Sequence, residues 1–294
     1  MTYKTNPIII KTKTNLHVGD GSTNFSIVDK SVQRDSITNL PIINASSLKG
    51  ALKDDMLNKT VDKSDDTNFL EEEAYRKLFG SDNKQFGLIK FLDSYLLFLP
   101  LRSDKKPFFH TTSRENLLKF ISFYEDLGFE DAKFEDAKKV INDLRDNVLI
   151  NCDSGIVEDY ECERQNIEDT VLAKLLDIFP PNIQPQNIAI LSDENFIDAI
   201  THLPIIARNK VAKDPDGKDS NLWYEELVPR ESIFYTAMLD YNNFGKSSAY
   251  HYKKGFEAFF NILQKDLIQV GANASVGFGL CSFKCFLEEK KDEQ

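Results

Sequence analysis

The sequence contains no long apolar run and no serine-hydrolase signature, and its N-terminal apolar stretch is shorter than that of a secretory leader. No stretch of about eighteen consecutive apolar residues occurs, so the sequence offers no transmembrane helix. The apolar stretch from Pro7 to Ile10 is too short for a signal peptide and is followed by lysines, which favours a first strand. No G-x-S-x-G elbow is present, which argues against a Ser-His-Asp hydrolase. These absences predict a cytoplasmic protein with no membrane partner.

Cysteine is also scarce, with four residues in 294. The pairs Cys152/Cys162 and Cys281/Cys285 do not have the C-x-x-C spacing of a zinc ribbon. In a strand, Cys281, Phe283 and Cys285 share one face, because side chains alternate with a period of two. We therefore interpret the last two cysteines as small buried apolar side chains and expect no metal site there.

Positive charge is in deficit, which weighs against a simple nucleic-acid-binding protein. The net charge is −11 and the pI about 5.0, whereas such proteins usually carry a basic surface. The imbalance is local, because residues 120–180 alone carry −10 and residues 1–60 carry +3. A polyanion would therefore bind the N-terminal part, and the acidic segment would face elsewhere. A solvated surface without a further role is the simplest interpretation of the acidic segment.

The pattern of apolar residues predicts an α+β protein with a helical segment in the middle. Strand and helix patterns occupy both ends. They include a helix through Leu48, Leu52 and Met56 that Ser46 or Ser47 would cap, a short helix at Glu71–Phe79 closed by Gly80, and a helix at about Ser248–Lys265. Residues 113–178 are helical and acidic in pattern, with an irregular link predicted at 150–168. Helices packed on an antiparallel sheet are the expected architecture.

A basic segment at 204–222 has the composition of an exposed β-hairpin or a flexible loop. It carries Arg208, Lys210, Lys213 and Lys218 around an Asp-Pro-Asp-Gly turn. Four cations suit phosphates, and the apolar Pro204, Ile205 and Ile206 could act as a wedge between bases. A mobile surface loop is the competing interpretation.

Four motifs follow one another in a recognisable order. They are HVGDG at 17–21 with SIVDKSVQRD at 26–35, LPIINASSLKG at 40–50, NLWYEELVP at 221–229, and GANASVGFG at 271–279. Their order and spacing resemble the RAMP superfamily of CRISPR proteins, and most closely the repeated backbone subunit of type III-B (Cmr) complexes. The resemblance spans the chain except for the acidic segment. This sequence departs from the family pattern at Phe278, where a lysine or arginine is usual, and at Ala45 and Ala272, where glycine is usual.

The resemblance implies a ferredoxin-like (RRM-like) core in a single RAMP domain over 1–294. It also implies an acidic helical insertion at about 105–185 and a protruding β-hairpin thumb at about 196–224. Several copies would assemble along one guide (CRISPR) RNA with other Cmr-complex subunits, forming a ribonucleoprotein of antiviral defence. Base pairing with the complementary target RNA, not the protein, would read sequence.

Two segments are candidates for gripping the RNA backbone. Ser46, Ser47 and Lys49 lie where a helix N-terminus would offer free N–H groups, hydroxyls and a cation to a phosphate, although capping serines alone are common. The glycines of the late turn let the backbone approach a ligand closely, although they equally suit a plain β-turn. The RNA-binding residues implied by the resemblance are Ser46, Ser47, Lys49, Gln33, Arg34, Arg208, Lys210, Gly271, Gly277 and Gly279.

Asp29 is the candidate catalytic residue and metal ligand. The resemblance places it on the family's cleavage aspartate, which implies metal-dependent attack of a target-RNA 2′-OH on the adjacent phosphate. Asp29 would hold Mg²⁺ or Mn²⁺, or orient and deprotonate the 2′-OH. His17 could protonate the leaving oxygen, and Glu226, like its neighbour Glu225, offers a further carboxylate. The alternative for Asp29 is a structural ion pair with Arg34 or Lys30.

Two other functions remain open on the sequence. A non-catalytic backbone subunit of another CRISPR type would keep the glycine turn but lack the aspartate. A stand-alone RAMP endoribonuclease that processes guide precursors would act alone on a repeat hairpin.

Overall fold

The computed structural model describes residues 3–21, 28–61, 72–81, 85–129, 131–179, 183–211, 220–241 and 248–285. One large mixed sheet runs through them. Twelve strands take part in it: β1 (Tyr3–Thr12), β2 (Ile42–Ile43), β5 (Ile89–Phe91), β6 (Ser94–Leu101), β7 (Phe109–Ser113), β8 (Val148–Ile150), β9 (Gly155–Val157), β10 (Tyr160–Gln165), β11 (Ile188–Leu191), β14 (Ile233–Tyr241), β15 (Leu267–Gln269) and β16 (Leu280–Cys285).

The order across the sheet is β15-β16-β1-β14-β6-β7-β11-β8-β10-β9, with β2 added to β6 and β5 to β14. Most pairs are antiparallel, whereas β7/β11 and β8/β10 are parallel. Two short hairpins lie outside the sheet, β3 (Gly80–Ser81) with β4 (Gln85–Phe86), and β12 (Ile205–Val211) with β13 (Ser220–Glu226).

Seven α-helices are found in the described ranges: α1 (Ala45–Val61), α2 (Glu72–Phe79), α3 (Arg114–Asp126), α4 (Ala132–Asn142), α5 (Asp169–Leu176), α6 (Asp193–Thr201) and α7 (Ser248–Lys265). None of these described helices combines the length and apolar character needed to cross a membrane.

Helices cover both faces of the sheet, and β1 shows how the sequence permits this. Ile8 and Ile10 belong to one core with residues of α1, α2 and α7, whereas Ile9 belongs to a second core with residues of α3, α4 and α5. Consecutive strand residues point to opposite faces, so a central strand covered on both sides needs apolar residues in succession. The unbroken run Ile8-Ile9-Ile10 meets that need.

Several expected elements are confirmed. The sequence pattern predicted a helix at 248–265, which is α7, and a short helix ending at Gly80, which is α2 with Gly80 at φ +90°. In β16, Cys281 and Phe283 are buried as the alternation required, whereas Cys285, at the end of the strand, is only half-buried. The Asp-Pro-Asp-Gly turn with Lys213 and Lys218 lies outside the described residues.

Two expectations about local structure were wrong. Ser46 and Ser47 do not cap α1: the helix begins at Ala45, and Leu48 N–H donates to the Asn44 carbonyl at 3.0 Å, so Asn44 holds the cap position. The link at 150–168 is not irregular, because it contains the antiparallel hairpin of β9 and β10. In β10 the buried Cys162 lies between the exposed Glu161 and Glu163, and this alternation is too short to stand out against the flanking helices.

Replacing Leu52 by alanine tests whether α1 depends on the core it covers. Leu52 is completely buried, so the substitution should lower the free energy of unfolding by about 2–5 kcal/mol. Leu57→Ala on the same helix is the matched control, because Leu57 is 44% exposed and should change stability by less than about 1 kcal/mol. Urea denaturation of both variants gives the comparison, and equal losses would contradict the packing described for α1.

Candidate functional site

Gln33 connects the start of α1 with residues 17–21, which we call the histidine–glycine segment. Its Nε2 donates to the Gly19 carbonyl and to Ser47 Oγ, both at 3.1 Å, and its Oε1 accepts the Asn44 N–H at 2.8 Å. The side chain is buried. Gln33 was predicted to contact RNA, and the structure instead places its amide in bonds that hold three segments together.

The late glycine turn packs on the same histidine–glycine segment from the other side. Ala272 N–H donates to the His17 carbonyl at 2.9 Å, and Gly279 N–H donates to the Asn15 carbonyl at 2.8 Å. A Cβ at Gly271 would lie 2.4 Å from the His17 oxygen, and one at Gly279 only 2.0 Å from the Val270 oxygen. Both residues also have positive φ, so only glycine fits. The start of α1 and the glycine turn are thus joined through the segment 17–19.

The N-terminus of α1 presents polar groups to solvent. Ser46 is exposed, Ser47 and Lys49 are half-buried, and Lys49 forms no ion pair within the described ranges. The Ala45 N–H is taken by Asp93 Oδ1 at 2.6 Å. The N–H groups of Ser46 and Ser47, in the first turn, have no intrahelical acceptor. This end of α1 can therefore accept an anion.

Asp29 lies at the edge of β13 and is exposed. Its Oδ2 accepts the Tyr224 N–H at 2.8 Å, and the N–H groups of Asp29 and Lys30 both reach the Tyr224 carbonyl at 3.1 Å. Glu226 N–H donates to the Lys30 carbonyl at 2.9 Å. The backbone of β13 therefore sets the position of Asp29, while one carboxylate oxygen stays available. The ion pair with Arg34 or Lys30 considered above is not formed, because those cations pair with Glu226 and Glu225.

The Glu225 carboxylate accepts hydrogen bonds from three parts of the chain: the Asp29 segment, the hairpin and the glycine turn. Its Oε1 accepts Trp223 Nε1–H at 2.8 Å and Lys30 Nζ at 3.1 Å, and its Oε2 accepts Arg208 Nε at 2.6 Å and Asn273 Nδ2 at 3.0 Å. Only 1% of the residue is exposed. A buried carboxylate is tolerated only when it is paired and hydrogen-bonded, and here four donors meet that condition. Glu225 thereby joins the Asp29 segment, the hairpin and the glycine turn.

The donors around Glu225 change its pKa. Burial alone raises the pKa of a carboxyl group, but here the hydrogen bonds from Trp223, Lys30 and Arg208 outweigh it and hold the pKa of Glu225 at about 2. The side chain is therefore ionised at neutral pH. It acts as an anchor for cations and not as a proton-transfer group.

Glu226 and His17 were predicted as catalytic residues, and both are buried beside Asp29's segment. The Glu226 carboxylate pairs with the Arg34 guanidinium and accepts the Val32 N–H at 3.0 Å. His17 Nδ1 lies 2.8 Å from the Glu226 carbonyl oxygen, so this nitrogen carries the proton. Arg34, predicted to contact RNA, also donates to the Asn39 carbonyl at 2.9 Å. These side chains are committed to partners within the protein.

Arg208 lies on β12 with its guanidinium 4.5 Å from the centre of the Phe278 ring. A cation over an aromatic face is an attractive arrangement. Phe278 occupies the position where the family pattern has a lysine or arginine, so Arg208 places a positive charge beside this turn from another strand. Lys210 lies further along β12, paired with Asn221, and its side chain is outside the described ones. Gly277 has φ +79° and open space around its Cα.

The sequence reasoning missed Trp223, Tyr224 and Asn273. Trp223 and Asn273 bind Glu225, and Tyr224 holds Asp29. A signal was present for Trp223, because the alternation in NLWYEE assigns Trp223 and Glu225 to one face of a strand. Tyr224 gave none, since it holds Asp29 through its backbone N–H. Asn273 gave none, since its partner is 48 residues away in the chain.

The residues present fit a divalent cation only in part. Within the described ranges no group of three His, Cys, Asp or Glu side chains is arranged to hold a metal. Asp29 offers a single carboxylate with one oxygen already hydrogen-bonded. Mg²⁺ commonly takes one or two carboxylates and completes its shell with phosphate oxygens and water. The donor set therefore suits a metal that is bound together with a polyanion.

The chain is similar to known proteins of one superfamily. The model of the RAMP superfamily matches residues 9–282. The chain is 30% identical to the CRISPR system Cmr endoribonuclease Cmr4 of Pyrococcus furiosus, over 78% of this chain and 79% of that protein. It is also 30% identical to the CRISPR system CMR subunit Cmr4 of Saccharolobus solfataricus, over 81% of this chain and 86% of that one.

Solved structures share the fold. A chain in the cryo-EM structure of the type III-B Cmr-beta complex bound to cognate target RNA superimposes with a TM-score of 0.74 at 24% identity, covering 96% of both chains. The crystal structure of oligomeric Cmr4 from Pyrococcus furiosus gives a TM-score of 0.69 at 22% identity, covering 97% of this chain and 100% of that one.

Replacing Glu225 by glutamine tests the anchor through its pH dependence. The lowered pKa means that the carboxylate stabilises the fold above about pH 4.5 and loses this effect as the pH falls towards 2. At pH 7 the variant should lose up to about 3 kcal/mol of unfolding free energy. Urea denaturation between pH 7 and pH 3 should show the difference from the unmodified protein shrinking below pH 4.5.

Glu161→Gln is the matched control for this experiment, because Glu161 is exposed on β10. It should change stability little at any pH. A Glu225→Gln deficit of the same size at pH 3 and pH 7 would mean that the charge of Glu225 does not stabilise the site.

Proposed function

Since the chain belongs to the RAMP superfamily and, within it, to the Cmr4 family, we propose that it is the backbone subunit of a type III-B CRISPR effector complex. Several copies bind one guide RNA together with other Cmr subunits, and each copy cleaves the complementary target RNA. The relatives named above support this role, since one is an endoribonuclease and another structure holds target RNA.

The position of Asp29 is the observation that carries the proposal. An exposed carboxylate, fixed by backbone hydrogen bonds at the edge of the hairpin strand β13, is available to a ligand that lies against the hairpin. Glu225 and Glu226, the carboxylates of the neighbouring strand β13, are buried and engaged with cations. Asp29 is thus the acid beside the hairpin that is open to a ligand.

In the proposed reaction the 2′-oxygen of the target RNA attacks the adjacent phosphorus atom and the bond to the 5′-oxygen breaks. Asp29 orients the 2′-OH and accepts its proton, and the departing 5′-oxygen takes up a proton. The products are a 2′,3′-cyclic phosphate and a 5′-OH. The alternative use of the available Asp29 oxygen is to hold Mg²⁺ or Mn²⁺ together with phosphate oxygens and water, and the ion would then offset the negative charge that develops on the phosphate.

His17 and Glu226 act in this proposal as positioning residues. The His17 Nδ1–H donates to the Glu226 carbonyl, and the Glu226 carboxylate holds the Val32 N–H and Arg34. These contacts hold the segment 28–34 against β13 and so place Asp29. A direct proton transfer from His17 to the leaving oxygen remains a prediction from the family resemblance.

The start of α1 and the glycine turn hold the guide-RNA backbone in this proposal. The free N–H groups of the first turn, the hydroxyls of Ser46 and Ser47, and Lys49 suit one phosphate. The glycine turn, with Gly271, Gly277 and Gly279, adds backbone that a ribose-phosphate chain can approach. Arg208 and Lys210 would contact phosphates from the hairpin.

We further propose that the architecture is a single RAMP domain with a ferredoxin-like core. Support comes from β1, which lies between β14 and β16 with both pairs antiparallel, and from α1 and α7, which pack in one core on a single face. The acidic insertion is then the part at about 105–185, which adds α3, α4 and α5 over the opposite face. The hairpin of β12 and β13 is the thumb expected at about 196–224; its strands run from Ile205 to Glu226, and the first residues of the expected range belong to α6.

Asp29→Asn tests the catalytic part of the proposal. The assembled complex carrying this variant should cut complementary RNA about 10²–10⁴-fold more slowly, because amide nitrogen and oxygen replace the proton acceptor. Affinity for the target should change little, since base pairing supplies it. The measurement is single-turnover cleavage of end-labelled RNA, with analysis of the product ends.

The control is Asp169→Asn, since Asp169 is exposed on α5, which packs in the other core from α1. Undiminished cutting by the Asp29 variant would remove the catalytic role and leave the role as a scaffold. Cleavage of a repeat hairpin by the purified chain alone would instead favour a stand-alone enzyme.

Lys49→Gln tests the phosphate site at α1. Loss of one cation that contacts a phosphate should weaken RNA binding equally for all sequences and lower the salt dependence of log K by about 0.7 for single-stranded RNA. Lys139→Gln on α4 is the control, because Lys139 is exposed and pairs with Asp136. Filter binding at several salt concentrations gives both slopes, and an unchanged slope for Lys49→Gln would exclude the contact.

A further inference from the structure

The β12–β13 hairpin has one face that its own fold leaves apolar and exposed. The register pairs Ile205 with Glu226, Ala207 with Tyr224, and Asn209 with Leu222. Ile205 is 48% exposed, Leu222 55% and Tyr224 38%, and Ala207 is exposed as well. Paired residues of an antiparallel hairpin lie on the same face. These four side chains therefore form one strip, which we call the apolar hairpin face.

The opposite face of the hairpin is polar and engaged with the protein. It carries Trp223, Glu225 and Arg208, which bind one another and the glycine turn. Glu226, at the base of the other face, is also held, by Arg34 and the Val32 N–H. The hairpin is thus anchored at its base, and the four side chains of the apolar hairpin face stay exposed. Exposed apolar side chains on a well-anchored element are typical of a surface that binds a ligand.

Asp29 and Tyr224 are adjacent. Lys30, the residue after Asp29, binds Glu225 on the polar face, with its Nζ 5.0 Å from the centre of the Trp223 ring. The chain bends at Asp29, and the N–H groups of Asp29 and Lys30 both donate to the Tyr224 carbonyl. The hydrogen bond from Tyr224 N–H to Asp29 Oδ2, 2.8 Å long, makes the two residues direct neighbours. The catalytic carboxylate and an exposed aromatic ring are therefore adjacent.

We propose that the Tyr224 ring stacks on a nucleobase of the target RNA, the base of the nucleotide whose 2′-OH attacks. This inference rests on the proposed function, because it takes RNA as the substrate and Asp29 as the residue that receives the 2′-OH proton. The stack holds that nucleotide out of the duplex and sets its ribose against Asp29. Tyr224 is a positioning residue, and it contacts the base through the face of its aromatic ring and not through its hydroxyl.

The chemistry of the surface favours a nucleobase over a protein partner. An aromatic side chain can stack on any of the four bases, so the contact does not depend on the target sequence. This is needed in a complex in which base pairing with the guide RNA selects the target. Leu222 and Ile205 flank the ring with aliphatic surface that can fill the space beside an unstacked base. Asp29, bonded to the Tyr224 N–H, places an exposed carboxylate beside this surface. An RNA ligand would use that carboxylate for the reaction, whereas a protein partner would have no need of it.

The experiment pairs a side-chain change with removal of the base. Tyr224→Ala and Tyr224→Phe are placed in the assembled complex, and the target RNA carries either a normal or an abasic nucleotide at the attacking position. Tyr224→Ala should slow single-turnover cleavage of the normal target by roughly 10- to 100-fold, the range that stacking on one base supports. Tyr224→Phe should cut at nearly the normal rate, because the ring is kept.

The abasic target separates stacking from a merely structural role. The unmodified complex should cut it as slowly as Tyr224→Ala cuts the normal target, and Tyr224→Ala should show little additional loss on it, because the two changes remove the same contact. Independent, multiplicative losses would overturn the proposal. So would normal cleavage by Tyr224→Ala, or a variant complex that fails to assemble, which would indicate a protein contact.

The outcome can be told apart from failure of the proposed function. If the unmodified complex cuts the normal target in a manner that depends on Asp29 but not on Tyr224, only the stacking inference fails. If the unmodified complex neither binds nor cuts complementary RNA, the proposed function fails with it.

Discussion

The site depends on one buried carboxylate and the four donors that surround it. Glu225 is held by Lys30, Trp223, Arg208 and Asn273, and these residues come from the segment 28–34, both hairpin strands and the glycine turn. Burying a carboxylate without hydrogen-bond or cationic partners is strongly unfavourable in free energy. The segments must therefore assemble together or not at all, which makes the hairpin, the turn and Asp29 parts of a single structural unit.

A site of this kind is assembled from loops, so individual backbone contacts determine its shape. The close approach of Gly271 to the His17 carbonyl and of Gly279 to Val270 leaves no space for a side chain. Gln33 then ties the same loop to the start of α1. The large sheet and its two cores give rigidity, and these polar ties determine where the exposed groups lie.

The sequence predicted the elements with a strong local pattern. The helix α7, the buried face of α1 and the alternation in β16 all follow from apolar periodicity, and the four motifs indicated which loops would meet. It could not predict the capping of α1 by Asn44 with Asp93, or the β9–β10 hairpin, because these depend on partners distant in the chain or on very short strands. For the same reason the roles of Gln33, Arg34 and Glu226 could not be read from residue type. Each is polar, and only the fold reveals that its polar atoms face inward.

The stack of Arg208 on Phe278 has an evolutionary consequence. The ring and the guanidinium occupy one small volume beside the glycine turn, 4.5 Å apart. Restoring the lysine or arginine of the family pattern at 278 would place two cations there, and like charges so close repel one another. Positions 208 and 278 are therefore expected to covary among relatives, because a change at one is tolerated only after a compensating change at the other.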